Sequence, residues 1–258
     1  MNINERHEFI TRQLEAKGQV SVTELSTLLN VSEVTIRKDL SILEKNNLLY
    51  RAHGKAIKLS PYINDRDVNV KEHQYPTEKT AIAREAVKLI EPNDSIIIAS
   101  GTTVQYFARE INTDETGGRL TVITSALNVA SVLSANRDIE VIQLGGLVRS
   151  TSLSAVGCDA ERQLENFAGS KLFIGVDGLD PEYGLSTTNL LEANLNRVMI
   201  AAAEKIIVLC DSSKFGRRGF SRICPIDDVD QIITDSGIPA HVLEALEQRG
   251  IEVTIVHP

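Results

Sequence analysis

The chain has 258 residues, 42% of them hydrophobic and 24% charged, with a formal net charge of −8. That composition suits a folded protein of one large domain, or of a small and a medium one, and not a disordered chain. Its longest apolar runs, such as 206–210, are far too short to cross a bilayer, and the polar residues after Met1 do not read as a signal peptide, so a cytoplasmic protein without a membrane partner is expected.

The charge is not evenly spread. Residues 1–60 hold nine Lys or Arg against seven acids, a net of +2, and the remainder carries −10. Within 37–58 the balance is six basic to two acidic. A compact basic segment on an acidic body is the asymmetry of a nucleic-acid-binding unit joined to something else. Cys158, Cys210 and Cys224 form no Cys-x-x-Cys pair, and the five histidines show no ligand spacing. Reduced thiols, no metal and no cofactor are therefore expected.

In chain order, Phe9, Ile10, Leu14 and Ala16 give a helix over about 5–16 that Gly18 stops. Ser21-Val22-Thr23-Glu24 has the form of a capping box and opens a short second helix with Leu25, Leu28 and Leu29 on its apolar side. Ser32 caps a third helix running to about Asn46. With about 100° per residue and Ile36 at zero, Leu40 and Leu43 fall within about 40° of it, whereas Val34, Arg37, Lys38 and Ser41 lie about 100–200° away. That outer face offers methyl, hydroxyl and cationic groups suited to base edges and phosphates, and Thr35 sits near the helix N-terminus where a phosphate binds. Two short helices with a tight turn and a basic outer face make a helix-turn-helix. Residues 48–51 and 56–59 then read as two strands of a β-wing joined through 52–55, with Arg51, His53 and Lys55 near its tip.

The run Ser32-Glu33-Val34-Thr35-Ile36-Arg37-Lys38-Asp39-Leu40, followed by Leu43-Glu44 and Arg51-Ala52-His53-Gly54, resembles the head of the DeoR family of bacterial sugar-metabolism repressors. The resemblance implies a winged helix-turn-helix over 1–59 that binds a double-stranded operator through Ser32, Val34, Thr35, Arg37, Lys38, Ser41, Arg51, His53 and Lys55. Lys55 departs from the second glycine usual in that family.

Residues 60–78 are polar and punctuated by Pro61 and Pro76, and read as a linker. Beyond it, 79–258 alternates strands (95–99, 120–124, 140–144, 172–176, 205–210, 231–234, 252–256) with helices (79–90, 103–111, 126–134, 190–203, 240–248). Strands this rich in Ile, Val and Leu belong to a mostly parallel sheet covered on both faces, an α/β fold whose ligands bind at the C-terminal strand ends. Several such ends carry informative residues. Ser100-Gly101-Thr102-Thr103 leads into a helix and can cradle an anion on backbone N–H groups. Thr124-Ser125, Gly145-Gly146, Asp177-Gly178 and Asp211-Ser212-Ser213-Lys214 follow other strands. Asp177 can accept from sugar hydroxyls, and Lys214 can pair with a phosphate.

Ser100-Gly101-Thr102-Thr103, Gln143-Leu144-Gly145-Gly146, Gly175-Val176-Asp177-Gly178, Gly184-Leu185-Ser186-Thr187 and Asp211-Ser212-Ser213-Lys214-Phe215-Gly216 resemble the effector domain of the same family. That likeness implies a fold similar to ribose-5-phosphate isomerase, a phosphorylated sugar or sugar-derived intermediate as effector, and a homodimer or homotetramer. The implied contacts are Ser100, Gly101, Thr102, Thr103, Thr124, Ser125, Gly145, Gly146, Asp177 and Lys214. Ala99 stands where the family commonly has aspartate. The alternative is a sugar-phosphate isomerase carrying a DNA-binding head, which needs a carboxylate base. Such isomerases have an aspartate where this chain has Ile174, and a glycine-rich lysine segment where it has Tyr183–Thr188. A repressor rather than an enzyme is expected.

Overall fold

The computed structural model describes residues 2–45, 49–52, 54–58, 68–113 and 118–258. The chain divides into two compact units, Met1–Pro61 and Tyr62–Pro258.

In the first unit, helices α1 (Ile3–Lys17), α2 (Val22–Leu29) and α3 (Glu33–Lys45) enclose a core that includes Ile10, Leu14, Leu25, Ile36, Leu40 and Leu43. The apolar stripe of α3 is therefore the one its periodicity predicts. Gly18 ends α1 at φ +73, a left-handed value that favours glycine. Ser21 caps α2 by accepting from the Glu24 N–H at 3.0 Å, but the expected box is only half built. The Glu24 carboxylate turns instead to Lys17 at 2.6 Å. The backbone of Ser21 has other work, because it belongs to strand β1 (Gln19–Ser21). The reciprocal box sits at the start of α1, between Asn2 and Glu5. Strands β2 (Leu49–Ala52) and β3 (Lys55–Lys58) form the wing, with Ala52 and Lys55 paired in the ladder rather than lying in the connection as read from the sequence. β1 pairs with β3, so the wing sheet has three strands, a pairing not anticipated for so short a segment. Buried Asp39 accepts two hydrogen bonds from Arg6, at 2.7 and 3.0 Å, and this pair fastens α1 to α3.

The second unit is built on seven parallel strands in the order β15-β14-β12-β9-β4-β5-β6. Their ranges are β4 (Ser95–Ile98), β5 (Leu120–Thr124), β6 (Ile139–Gln143), β9 (Gly169–Ile174), β12 (Ala203–Leu209), β14 (Gln231–Asp235) and β15 (Glu252–Val256). All seven fall where the apolar runs predict strands. Alternation sends Ile97, Leu172, Ile174 and Val208 into one core and Ile96, Ile98, Phe173 and Ile207 into the other. Helices α5 (Pro76–Val87) and α6 (Thr102–Glu110) cover the second face, and the helices Leu190–Ala201 and Ala240–Gln248 supply the first. Phe107 of α6 stacks on Phe173 with ring centroids 4.3 Å apart. Truncating either to alanine costs about 3–5 kcal/mol.

Two smaller pieces were not expected: a hairpin of β7 (Leu147–Arg149) and β8 (Ser154–Val156), and a three-stranded antiparallel sheet of β10 (Gly178–Asp180), β11 (Gly184–Thr187) and β13 (Ser221–Cys224). The stretch 60–78 also differs from a plain linker. Its second half holds helix α4 (Val68–Glu72) and the start of α5. Val68 is buried, and its N–H donates to the Thr151 carbonyl at 2.7 Å, so this half packs on the sensor unit.

Candidate functional site

Each unit carries a candidate site. On the first, Ser32 caps α3: its Oγ accepts from the Thr35 N–H at 3.2 Å and lies 2.9 Å from the Thr35 hydroxyl. Opposite the buried stripe, Val34 is 72% exposed, a large apolar side chain with no core to fill. Arg37 and Lys38 are exposed beside it, and Ser41 is half-buried. Arg37 pairs with Glu33 one turn earlier at 2.6 Å, and Arg51 of the wing pairs with Glu44 at 2.7 Å. Exposed pairs of this kind are worth roughly 0–1 kcal/mol, so a phosphate can replace either carboxylate. Lys55 is exposed at the wing turn, whereas His53 lies outside the described residues.

On the second unit the strand order decides where a ligand sits. β4 has its successor β5 on one side and the distant β9 on the other, so the connections diverge between β4 and β9. A crevice opens at the C-terminal ends of such a strand pair. Residues Ser100-Gly101 leave β4 there, and Gly175-Val176-Asp177 leave β9. Gly101 adopts φ +139 as the N-cap of α6, and a side chain on it would point to within 3.9 Å of the Gly175 Cα. The two glycines thus let two strand ends approach closely while the first N–H groups of α6 stay without helical partners.

The pocket at this crevice is lined by Ser100–Thr103, Asp177 and Lys214 among others. Six of the ten residues expected to hold an effector therefore come together. The remaining four do not line it. Thr124 and Ser125 are fully buried, and the Thr124 hydroxyl accepts from the Ala126 N–H, closing a local turn. The Gly145 N–H donates to the Gln163 side chain. Gly146 is glycine for a packing reason: at φ +145 a Cβ would meet the Val156 carbonyl at 2.7 Å.

Sequence reading missed part of the lining. Lys71 reaches it from α4 and donates to Asp177 at 2.7 Å. Thr187 donates to Asp177 at 3.0 Å and to Glu192 at 3.2 Å, and Glu192 pairs with Arg149 at 2.6 Å. Thr187 closes a segment already visible as a family motif, but a lone lysine in a polar stretch gave no signal. Burial works against ionisation of Asp177, yet Lys71, Lys214 and the Thr187 hydroxyl outweigh it and hold the carboxyl below its ordinary range. Asp177 is thus an acceptor in the site. Ile174, where an isomerase of similar pattern has its first aspartate, is wholly buried in the core.

Lys79 of α5 is buried, with its ammonium donating to the carbonyls of Lys71 (2.8 Å) and Gln74. Burial pulls its pKa down to about 8, against the opposing pull of Asp211. Among the described residues no group of three or more His, Cys, Asp or Glu could hold a metal, and no helix is long and apolar enough to cross a membrane.

Comparison with known proteins gives three kinds of match. Residues 6–61 match the family model described as a DeoR-like helix-turn-helix domain, and residues 74–236 match the DeoR C terminal sensor domain. The chain is 41% identical to the "Putative aga operon transcriptional repressor" of Escherichia coli O157:H7, over 98% of this chain and 94% of that one. It is 38% identical to the HTH-type transcriptional regulator YulB of Bacillus subtilis (99% and 98%) and 30% identical to the transcriptional repressor GlcR of the same organism (94% and 92%). A solved ribose 5-phosphate isomerase A from Methanocaldococcus jannaschii aligns over 53% of each chain with 20% identity and a TM-score of 0.40.

Proposed function

The chain belongs to the DeoR family, and on that premise we propose that it is a repressor of a sugar catabolic operon whose effector is a phosphorylated sugar or a sugar-derived intermediate. Carrying this reading is the convergence, on one strand-end crevice, of the N-terminus of α6, the cation Lys214 and the acceptor Asp177. N–H groups and ammonium suit a phosphate, and a charged carboxylate beside them suits sugar hydroxyls. Chemistry is not part of the proposal, since Ile174 offers no base beside the pocket.

The DNA partner is read by α3 and the wing. In this reading Val34 would meet a thymine methyl, Arg37 and Lys38 base edges or phosphates, and Ser32, Thr35, Ser41, Arg51, His53 and Lys55 the flanking backbone. Two copies in a homodimer, or four in a homotetramer, would set recognition helices on half-sites about one DNA turn apart. An effector shifts that arrangement only by the difference in its affinity for the two states.

The test is operator binding by fluorescence anisotropy with and without sugar phosphates. Lys214→Ala should keep operator affinity and lose at least tenfold in effector response. A Lys214→Ala protein that folds and responds like wild type would remove this crevice as the effector site.

A further inference from the structure

α4 is held across the mouth of the pocket by unequal fastenings. At its C-terminal end, Glu72 pairs with Arg109 at 2.8 Å and its carbonyl accepts from the Tyr106 hydroxyl. The buried Lys79 ammonium grips the carbonyls of Lys71 and Gln74, and the Gln74 N–H also donates to the Lys71 carbonyl at 3.1 Å. Among the described residues the N-terminal end has the Val68 N–H to Thr151 carbonyl bond, and from the last turn the Lys71 side chain reaches over to Asp177. Both of these reach directly over the cavity, since Val68, Lys71, Thr151 and Asp177 all line it.

The cavity beneath measures about 60 Å³. Pockets for small organic ligands run to roughly 300 Å³ and above. A phosphate group fits under α4 as it stands; the sugar that carries it gains room there if α4 moves, and the asymmetry of the fastenings says which end moves. The C-terminal end is gripped by three side chains on α5 and α6, Lys79, Tyr106 and Arg109, while the Val68–Thr151 bond and the Lys71–Asp177 pair join groups that line the cavity and that an incoming ligand approaches.

We infer that α4 is a strap which the effector displaces, Lys71 passing from Asp177 to the anionic group of the ligand while the helix pivots on its Glu72–Gln74 end. This rests on the sugar-phosphate reading above. Asp177 tolerates the loss of Lys71, because it still accepts from the Thr187 hydroxyl and from the Thr188 N–H at 3.3 Å, with Lys214 near by. The displaced end of α4 is the end that continues toward residue 61, where the DNA-binding unit stops. Occupancy of the pocket is thereby written into the one covalent connection between the two units.

Hydrogen exchange on the full chain tests the strap, with ribose 5-phosphate and glucose 6-phosphate as probes and calorimetry to score binding. With a bound sugar phosphate, the Val68 amide should exchange at least tenfold faster while the Gln74 amide keeps its rate. Lys71→Met should bind that ligand at least tenfold more weakly, with Lys71→Arg restoring most of the loss. Asp177→Asn should speed Val68 exchange with no ligand present. A sugar phosphate that binds without changing Val68 exchange, or binds Lys71→Met as it binds wild type, overturns the strap. If that same ligand is lost on Gly101→Val, the pocket reading survives and only the strap falls. If neither sugar phosphate nor inorganic phosphate binds, the reading of the pocket fails and takes the strap with it.

Discussion

The two units hold their cations in opposite ways. In the DNA-binding unit Arg37, Lys38, Arg51 and Lys55 stand in solvent, and the two with carboxylate partners share them at the surface. In the sensor unit Lys71 and Lys214 are half-buried in the lining of a small cavity, and Lys79 is buried on the carbonyls of Lys71 and Gln74. A duplex presents a long row of charges, so exposed cations gain by releasing counterions over many phosphates. A single phosphate offers one charge and a few oxygens, and only a dry, pre-shaped set of donors discriminates it from water. On the proposed reading, the difference in burial follows the difference in what is recognised.

Breaking the sensor side should give the largest effect. Gly101→Val forces a branched residue to φ +139 and fills the approach to the α6 N-terminus. Loss of several charge-assisted donors at once should weaken a bound sugar phosphate by about 3 kcal/mol or more, about a hundredfold. Operator affinity without effector should stay at the wild-type value, as anisotropy would read. The head has its own structural weak point. Arg6→Met takes from buried Asp39 both guanidinium bonds, leaving His7 at 3.4 Å as its side-chain partner among the described residues, which should cost the DNA-binding unit about 3 kcal/mol. Calorimetry should then separate two transitions, the first lowered and the second unmoved; a common downward shift would mean the units unfold together.

Smaller effects sharpen the contrast. Arg37→Ala or Lys38→Ala should weaken operator binding by about 1–3 kcal/mol where a base edge is read. Where only a phosphate is touched, the salt slope should fall by about one unit. Wild-type affinity in both mutants, at two salt concentrations, would take this face out of the interface. On the body, residues 76–258 should fold but bind a sugar phosphate more weakly than 62–258, because only the longer fragment contains Lys71. A pH dependence sharpens the contrast in a different way. Folding lowers Lys79 from the model-compound value of 10.5 to about 8. Between about pH 8 and pH 10 the unfolded chain therefore holds a proton that the folded chain has released, so stability rises with pH through that window. Subtracting the Lys79→Met profile, measured by urea melts, should isolate that rise; a flat difference would mean that Lys79 is not desolvated.

Much of this was legible in the sequence because it follows from apolar spacing. Seven strands of Ile, Val and Leu announced themselves, and so did the stripe of Ile36, Leu40 and Leu43 that aims Arg37 and Lys38 outward. Spacing fails for short elements. α4 has five residues, too few for a helical period, and its lysine looked like any solvated charge. The hairpin of β7 and β8 exposes Leu147 and Val148, so no alternation marks it. Glycine carries a further ambiguity. Gly101 and Gly146 both take left-handed φ values, one for approach to a ligand crevice and the other for approach to the Val156 carbonyl. Only the three-dimensional neighbour distinguishes them.

The order of strands in the sheet also bears on the birth of the molecule. The DNA-binding unit is complete once residue 61 has left the ribosome, and its contacts close within that short span. The crevice needs β9 beside β4, and its lining is complete only when Lys214 emerges. At about 5–20 residues per second, that interval lasts roughly 8–30 s. During it each nascent polypeptide owns a finished helix-turn-helix unit and an unfinished pocket.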